Sequence, residues 1–161
     1  MADVFTAWRL VRPRYGSQAD AFDGEGARLF GGRWNAPGRR VVYVSESLSL
    51  AALETLVHAD RRRFEREYVA FKLTIPERLV LELRQQDLPA DWQVRAVSEG
   101  ARRVGDAWLA AQASVALAVP SVIVPEERNY LLNPEHPQFA ELTIEAPQPF
   151  RFDVRLASDA R

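Results

Sequence analysis

Four polar side chains of this 161-residue sequence have the types and surroundings that a reactive site requires: Arg33, Tyr43, Glu54 and Ser121. Arg33 follows two glycines, so the backbone can bend there and bring the guanidinium to a fixed position. A guanidinium offers planar, bidentate donors that suit a phosphate. The alternative is an ordinary surface arginine on a loop, because neither standard glycine-rich phosphate loop is present.

Tyr43 and Glu54 could supply a stacking ring and a negative charge. Tyr43 lies in the strand-like run VVYV, where its ring is either part of the core or a flat face for a planar ligand, with the hydroxyl as an orienting donor. Glu54 flanks the apolar stripe of a predicted helix, so it lies either at the helix edge or in a buried position. A buried carboxylate needs a partner, and such carboxylates are concentrated at functional sites.

Ser121 interrupts the apolar run at residues 115–124, where a hydroxyl needs a hydrogen-bond partner. The alternative is a serine bonded to nearby backbone. Ser121 is not part of a Gly-x-Ser-x-Gly motif, so nothing supports a serine-hydrolase role. His58 is interpreted as a surface or capping residue, and His136, in an Asn-Pro…His-Pro turn, as a structural residue that could support the site indirectly.

Composition excludes several classes of site and partner. Cysteine is absent and there are two histidines, which rules out disulfides, a thiolate nucleophile, Cys-based metal centres and a three-His site. Twenty-one basic residues against 22 acidic ones disfavour direct nucleic-acid binding. With no run of about 18 apolar residues and no signal-peptide pattern, we expect a cytoplasmic protein that does not associate with membranes.

Hydrophobic periodicity predicts the elements that must position these residues. Residues 4–11 form a predicted strand, and residues 12–40, rich in glycine, an ordered loop. A strand at 40–44 is followed by a helix, capped by Ser45 or Ser47 and running to about residue 60, with Leu50, Leu53 and Val57 on its inner face.

The second half of the chain contains more strands than helices. Strands are predicted at residues 68–75, 79–83, 115–124, 129–132, 141–144 and 150–156, and a helix from 98 or 99 to 112. The apolar run at 115–124 is typical of a strand buried on both faces, with a bulge or edge at Pro120. Since helices are few and do not alternate regularly with strands, the fold class is α+β, with mixed, largely antiparallel sheets and flanking helices in a single domain over residues 1–161.

Together, these segments resemble the RES domain family, named for an Arg, a Glu and a Ser. The resemblance covers roughly residues 7–155 in order. It rests on GEGARLFGGRWN (24–35), Val42 and Tyr43 with Ser45, AALE (51–54), VPSV (119–122), NYLLNP (129–134) and His136.

The resemblance implies the toxin of a two-gene toxin–antitoxin system, with a fold similar to ADP-ribosyltransferases and an activity that consumes NAD. The expected partner is an Xre-type helix-turn-helix antitoxin. Carried over by position, Arg33, Tyr43, Glu54 and Ser121 line the NAD site; Arg33 and Glu54 are the candidate catalytic residues, and Arg33, Tyr43 and Ser121 the candidate substrate-binding residues. We expect no metal and no cofactor, with NAD as substrate and inorganic phosphate as a possible co-substrate.

Three functional hypotheses follow. The first is cleavage of the nicotinamide–ribose bond of NAD by hydrolysis or phosphorolysis, through an oxocarbenium-like transition state that an anion such as Glu54 would stabilise. The second is ADP-ribosylation of a protein with NAD as donor. The third is a non-catalytic module that only binds a partner protein, with the aromatic loop at residues 30–34 as its interface.

Overall fold

Alternating apolar residues build one twisted sheet in this computed structural model, which describes residues 3–60 and 63–157. Within those ranges, eight strands belong to the sheet. They are β1 (Val4–Val11), β2 (Val42–Ser45), β3 (Glu67–Pro76), β4 (Val80–Glu82), β5 (Ala116–Pro120), β6 (Arg128–Leu132), β7 (Thr143–Ile144) and β8 (Gln148–Arg151).

The strand order is β4-β5-β6-β2-β1-β3-β7, and β8 also pairs with β3. Every pairing is antiparallel except that of β4 with β5. The longest pairing joins β1 to β3 from Val4↔Pro76 to Val11↔Val69. The predicted α+β fold, with a mixed, largely antiparallel sheet of the ADP-ribosyltransferase-like kind, is confirmed.

Four α-helices flank the sheet in the described part of the chain: α1 (Gln18–Ala21), α2 (Glu25–Phe30), α3 (Leu48–His58) and α4 (Glu99–Ala111). Short 3-10 turns lie at Pro13–Tyr15, Glu77–Leu79, Gln85–Asp87, Phe139–Glu141 and Val154–Leu156. The two long helices have serine N-caps, since Ser47 accepts from the backbone N–H of Leu50 and Ser98 from that of Ala101.

Strand β5 is buried on both faces, as its continuous apolar run predicted. Ala116 and Ala118 face the core that contains Phe71 and Leu73, whereas Leu117 and Val119 face a second core. The second core also contains Trp34, Trp108, Leu109, Ala101, Val41 and Leu131. The sheet therefore separates two apolar layers, and α4 covers the second one.

The structure differs from the sequence-based prediction in two places. Residues 12–40 are not one loop, because α1, α2 and a 3-10 turn form within them. Leu53 and Val57 were predicted on the inner face of α3 and are 41% and 62% exposed, so that assignment is wrong. The buried residues of α3 are Leu50 and Ala51, because only its first turns pack against the sheet while its second half borders a cleft.

Two other boundaries shift for simple reasons. Strand β5 ends at Pro120, which has no N–H with which to continue the ladder, so Ser121 begins a turn. The last strand, predicted at 150–156, ends at Arg151 and is followed by a 3-10 turn. None of the helices in the described residues is both long enough and apolar enough to cross a membrane.

The contact between α4 and the loop that carries Arg33 yields a stability prediction. A Cβ at Gly105 would lie 1.6 Å from the backbone oxygen of Trp34, whereas a Cβ at Gly26 in α2 would meet nothing within 4 Å. We expect Gly105→Ala to destabilise the protein by about 3 kcal/mol or more, since backbone must move. Gly26→Ala, the matched control, should be neutral or stabilising by up to about 1 kcal/mol. Urea denaturation measures both, and equal stabilities would contradict the tight contact.

Candidate active site

A cleft of about 710 Å³ opens beside α3. Its walls come from β1, β2, α3, the turn after β5, the segment before α4 and the loop that follows α2. Four arginines line it: Arg9, Arg33, Arg95 and Arg102. The carboxylate on its described wall is that of Glu54, so the cleft carries an excess of positive charge.

Glu54 is positioned by the helix that follows β2 directly. Ser47 caps α3, and Leu50 and Ala51 pack that helix onto the sheet, so the next residue on the same face, Glu54, meets the cleft wall. Its Oε1 accepts hydrogen bonds from the Ser121 hydroxyl at 2.8 Å and from Asn129 Nδ2 at 2.7 Å. The carboxylate is half-buried and paired with donors, as the sequence required if it was not at the helix edge.

Ser121 lies behind this wall and has no exposed surface. Its Oγ accepts from the backbone N–H groups of Ile123 at 3.1 Å and Val124 at 3.2 Å and donates to Glu54. The hydroxyl therefore bonds to nearby backbone, as one interpretation of the sequence had it, and also to Glu54. The cleft is lined by Pro120, Val122 and Ile123, the neighbours of Ser121. Ser121 itself is connected to the cleft by its hydrogen bond to Glu54.

Asn129 connects Glu54 to the sheet. It is the register partner of Ser45 in the β2–β6 pairing, and the Ser45 hydroxyl donates to Asn129 Oδ1 at 2.7 Å. Directly opposed residues of an antiparallel pair place their side chains on the same face, which brings these two together. Glu54 is thus supported by donors from two different strand ends.

Tyr43 stabilises the loop that carries Arg33. Its hydroxyl donates to Asn35 Oδ1 at 2.6 Å and accepts from the Trp34 N–H at 3.1 Å. Gly32 lies against the ring, where a Cβ would come within 2.6 Å of the Tyr43 hydroxyl oxygen. Burial raises the pKa of Tyr43 well above its ordinary value, so the hydroxyl stays protonated at neutral pH and is committed to the loop. The ring still lines the cleft.

Arg33 connects this loop to the opposite rim. Its Nη1 donates to the backbone oxygens of Trp92 at 3.0 Å and Val94 at 2.8 Å. Among the residues that the structure describes, Nε and Nη2 have no hydrogen-bond partner. Arg102, from α4, donates its Nε to the Gly32 oxygen at 3.1 Å. Arg33 therefore has donors left for a ligand in the cleft.

Arg9 is a further cleft residue that sequence reasoning missed. Its guanidinium donates to the backbone oxygens of Ala21 at 2.6 Å and Tyr43 at 2.9 Å. Burial lowers the pKa of Arg9 to about 10, and the charge of Asp23 offsets part of this effect. Within the described ranges it forms no ion pair within 4.0 Å, and a partly desolvated cation of this kind suits an anionic ligand.

The structure brings Arg33, Tyr43 and Glu54 to one cleft and places Ser121 directly behind it. His58, predicted as a surface or capping residue, is exposed at the end of α3 and lies on the cleft rim. His136 contacts the Gln112 oxygen and the Gln138 N–H and is not part of the cleft wall. Sequence reasoning did not propose Arg9, Ser45, Asn129 or Arg102 as site residues. Ser45 was named only as a possible helix cap, and Ser45 and Asn129 lie within the family-like segments.

Comparison with known proteins identifies similar sequences. The family model described as RES domain matches residues 6–154. A protein named Toxin Res from Yersinia enterocolitica is 39% identical over 150 residues, covering 92% of this chain and 97% of that protein. A Toxin Res from Photorhabdus laumondii is 40% identical over 127 residues, covering 79% and 80%. A protein named Prs ADP-ribosylating toxin from a Sphingobium species is 31% identical over 156 residues, covering 95% and 97%.

The loop contact of Tyr43 generates a testable difference between two tyrosines. Tyr43→Phe removes both hydroxyl bonds and leaves the fully buried Asn35 without one of its partners, so we expect a loss of about 1–3 kcal/mol in unfolding free energy. Tyr15 is 48% exposed, and Tyr15→Phe should change the free energy by less than about 0.5 kcal/mol. Chemical denaturation decides; a Tyr43→Phe variant as stable as the parent protein would refute the structural role of the hydroxyl.

Proposed function

The chain belongs to the RES domain family, and on that premise we propose that it is a toxin that consumes NAD by breaking the bond between nicotinamide and ribose. The observation that carries the proposal is the cleft, which is lined by one oriented carboxylate, Glu54, together with four arginines and the aromatic residue Tyr43. A dinucleotide has matching parts: a pyrophosphate for guanidinium groups and planar rings for stacking.

The proposed reaction begins with departure of nicotinamide. The C–N bond to ribose C1′ breaks and its electron pair leaves with nicotinamide, which becomes neutral, while positive charge develops on the ribose. A fixed carboxylate near that carbon stabilises the developing charge without reorganising. Glu54 is suited to this role, because its donors Ser121 and Asn129 hold it in place at the cleft wall.

Arg33 is proposed as the residue that holds a phosphate and so positions the ribose. Its Nη1 is engaged by the 92–94 backbone, which leaves the rest of the fork for the ligand. Tyr43 supplies its ring to the cleft, with its hydroxyl engaged by the loop. For Ser121 we propose positioning of Glu54 rather than direct substrate contact, since its hydroxyl lies behind the wall.

The acceptor defines the reaction class. Attack of water at C1′, with loss of a proton, gives ADP-ribose; attack of inorganic phosphate gives ADP-ribose 1-phosphate. We place hydrolysis or phosphorolysis first. Protein ADP-ribosylation is the second candidate, and the observation in its favour is the 31%-identical protein named Prs ADP-ribosylating toxin. The family resemblance adds an antitoxin of the Xre type as the protein partner in this proposal.

Conservative substitutions of Glu54 and Arg33 test the proposed roles. Glu54→Gln retains an oxygen for both donors and removes the charge, and Arg33→Lys retains the charge and removes the bidentate fork. We expect each to lower nicotinamide release from NAD by about 10²-fold or more. Release is measured by chromatography, and thermal melting confirms that the variants are folded.

The helix α4 offers a matched pair of controls, Glu99 and Arg103, whose side chains are 84% and 80% exposed. Glu99→Gln and Arg103→Lys should leave the rate within about twofold of the parent protein. If the two cleft variants also keep the parental rate, Glu54 and Arg33 have no part in the mechanism. The third hypothesis, a purely binding module, predicts intact NAD in every sample free of antitoxin.

Product analysis separates the acceptors. NAD labelled in its adenylate half is incubated with the protein, free of antitoxin, in phosphate buffer and in phosphate-free buffer, each with and without cell lysate. If the reaction is hydrolysis, mass spectrometry should find ADP-ribose in the phosphate-free sample. If it is phosphorolysis, the product should be the phosphate ester of ADP-ribose, formed only when phosphate is present. Label concentrated in one lysate protein, with little free product, would instead establish transfer to a protein.

A further inference from the structure

The two oxygens of Glu54 have unequal surroundings. Both donors, Ser121 and Asn129, converge on Oε1. Throughout residues 3–60 and 63–157, Oε2 has no hydrogen-bond partner, and every buried side-chain nitrogen or oxygen atom there has one. Oε2 must therefore be accessible to solvent, and because Glu54 lines the cleft, this oxygen opens into it.

The Ser121 proton is directed by its neighbours. The Oγ atom accepts two backbone N–H groups, from Ile123 and Val124, and this uses both of its lone pairs. The hydroxyl can then act only as a donor toward Glu54. Ser121 thus presents a fixed donor, set by the turn that follows β5.

The amide of Asn129 is held at both of its ends. An amide can turn over and exchange its oxygen and nitrogen, and the reversed amide would oppose its own oxygen to Glu54 Oε1, placing two acceptors together. The carboxylate, which can only accept, selects the orientation in which Nδ2 faces Oε1. The Ser45 hydroxyl, which can donate or accept, then donates to Oδ1 at 2.7 Å and anchors the other end of the amide. The strand register places Ser45 directly opposite Asn129, so this support is built into the sheet.

We propose that Asn129, anchored by Ser45, is a positioning residue that holds Oε1 of Glu54 and leaves Oε2 as the oxygen that faces the reacting ribose carbon. The proposal rests on the proposed function, because it assigns the reacting oxygen of that site. The relay runs from the β2–β6 ladder through two side chains to α3, and it connects the rigid sheet to the charge that must not move during bond cleavage.

Steady-state kinetics of nicotinamide release test the relay. A hydrogen bond to a charged group is worth about 10- to 100-fold, so Asn129→Ala should lower kcat by that factor while KM for NAD stays within about twofold. Ser45→Ala should lower kcat less, by about 3- to 10-fold. Because Ser45 acts through Asn129, the double variant should be no slower than Asn129→Ala alone.

Asn133 supplies the matched control. It is a buried asparagine that directly follows β6, whereas Asn129 is half-buried. The Oδ1 of Asn133 accepts from the backbone N–H of Glu135. Asn133→Ala should lower the melting temperature by an amount similar to that of Asn129→Ala and leave kcat within about twofold. An equal kcat loss in both variants, a rise in KM as the main effect of Asn129→Ala, or fully multiplicative losses in the double variant would each overturn the relay.

A spectroscopic measurement tests the same contact without any activity. In ¹⁵N-labelled protein the side-chain amide signals of Asn129, assigned with Asn129→Ala, should shift in Glu54→Gln and in Ser45→Ala but not in Asn133→Ala. Unchanged signals in both cleft variants would refute the relay. If the parent protein releases no nicotinamide, the proposed function fails, and these amide signals still decide whether Asn129 orients Glu54.

Discussion

A carboxylate at the wall of a cleft can take part in a reaction only if its charge is stabilised and its direction is constrained. In this protein, Glu54 meets both conditions through its two hydrogen-bond donors. Its two donors come from the turn after β5 and from β6, whereas the carboxylate itself comes from α3. These elements are distant in the sequence, 67 and 75 residues apart at the contacts. The site therefore exists only when the sheet and helix have assembled, which couples the proposed activity to the fold.

The rest of the cleft lining carries the opposite charge. Arg9, Arg33, Arg95 and Arg102 give it more positive charge than Glu54 neutralises, and burial alone makes Arg9 easier to deprotonate than an ordinary arginine. Because of this excess of positive charge, binding of an anion in the cleft is electrostatically favourable. The Tyr43 hydroxyl bonds to Trp34 and Asn35 in the loop that carries Arg33, so this loop is fixed to strand β2. In the proposed reaction, Glu54 serves the reacting sugar and the arginines serve its phosphates.

Much of this architecture was accessible to sequence reasoning, since strong local patterns encode it. The β-branched and aromatic residues of β1, the alternation in β3, the serine cap of α3 and the apolar run of β5 each predicted an element that forms. The pattern failed for Leu53 and Val57, because a helix with more apolar residues than buried positions gives no sign of which ones the cleft leaves exposed. It also failed for residues 12–40, where turns and short helices depend on contacts such as those of Asn35 with the Ala27 oxygen and Tyr43.

Residue type and spacing alone determined that a guanidinium, a ring, a carboxylate and a hydroxyl were set in apolar or glycine-rich surroundings that do not need them for packing. The tertiary structure decided what each of them contacts. It placed Ser121 behind Glu54 instead of beside the ligand space, committed the Tyr43 hydroxyl to a loop, and brought in Asn129 and Ser45 through strand register. The physical reason is that hydrogen-bond direction and burial depend on neighbours far along the chain, and these neighbours exist only once the sheet has formed.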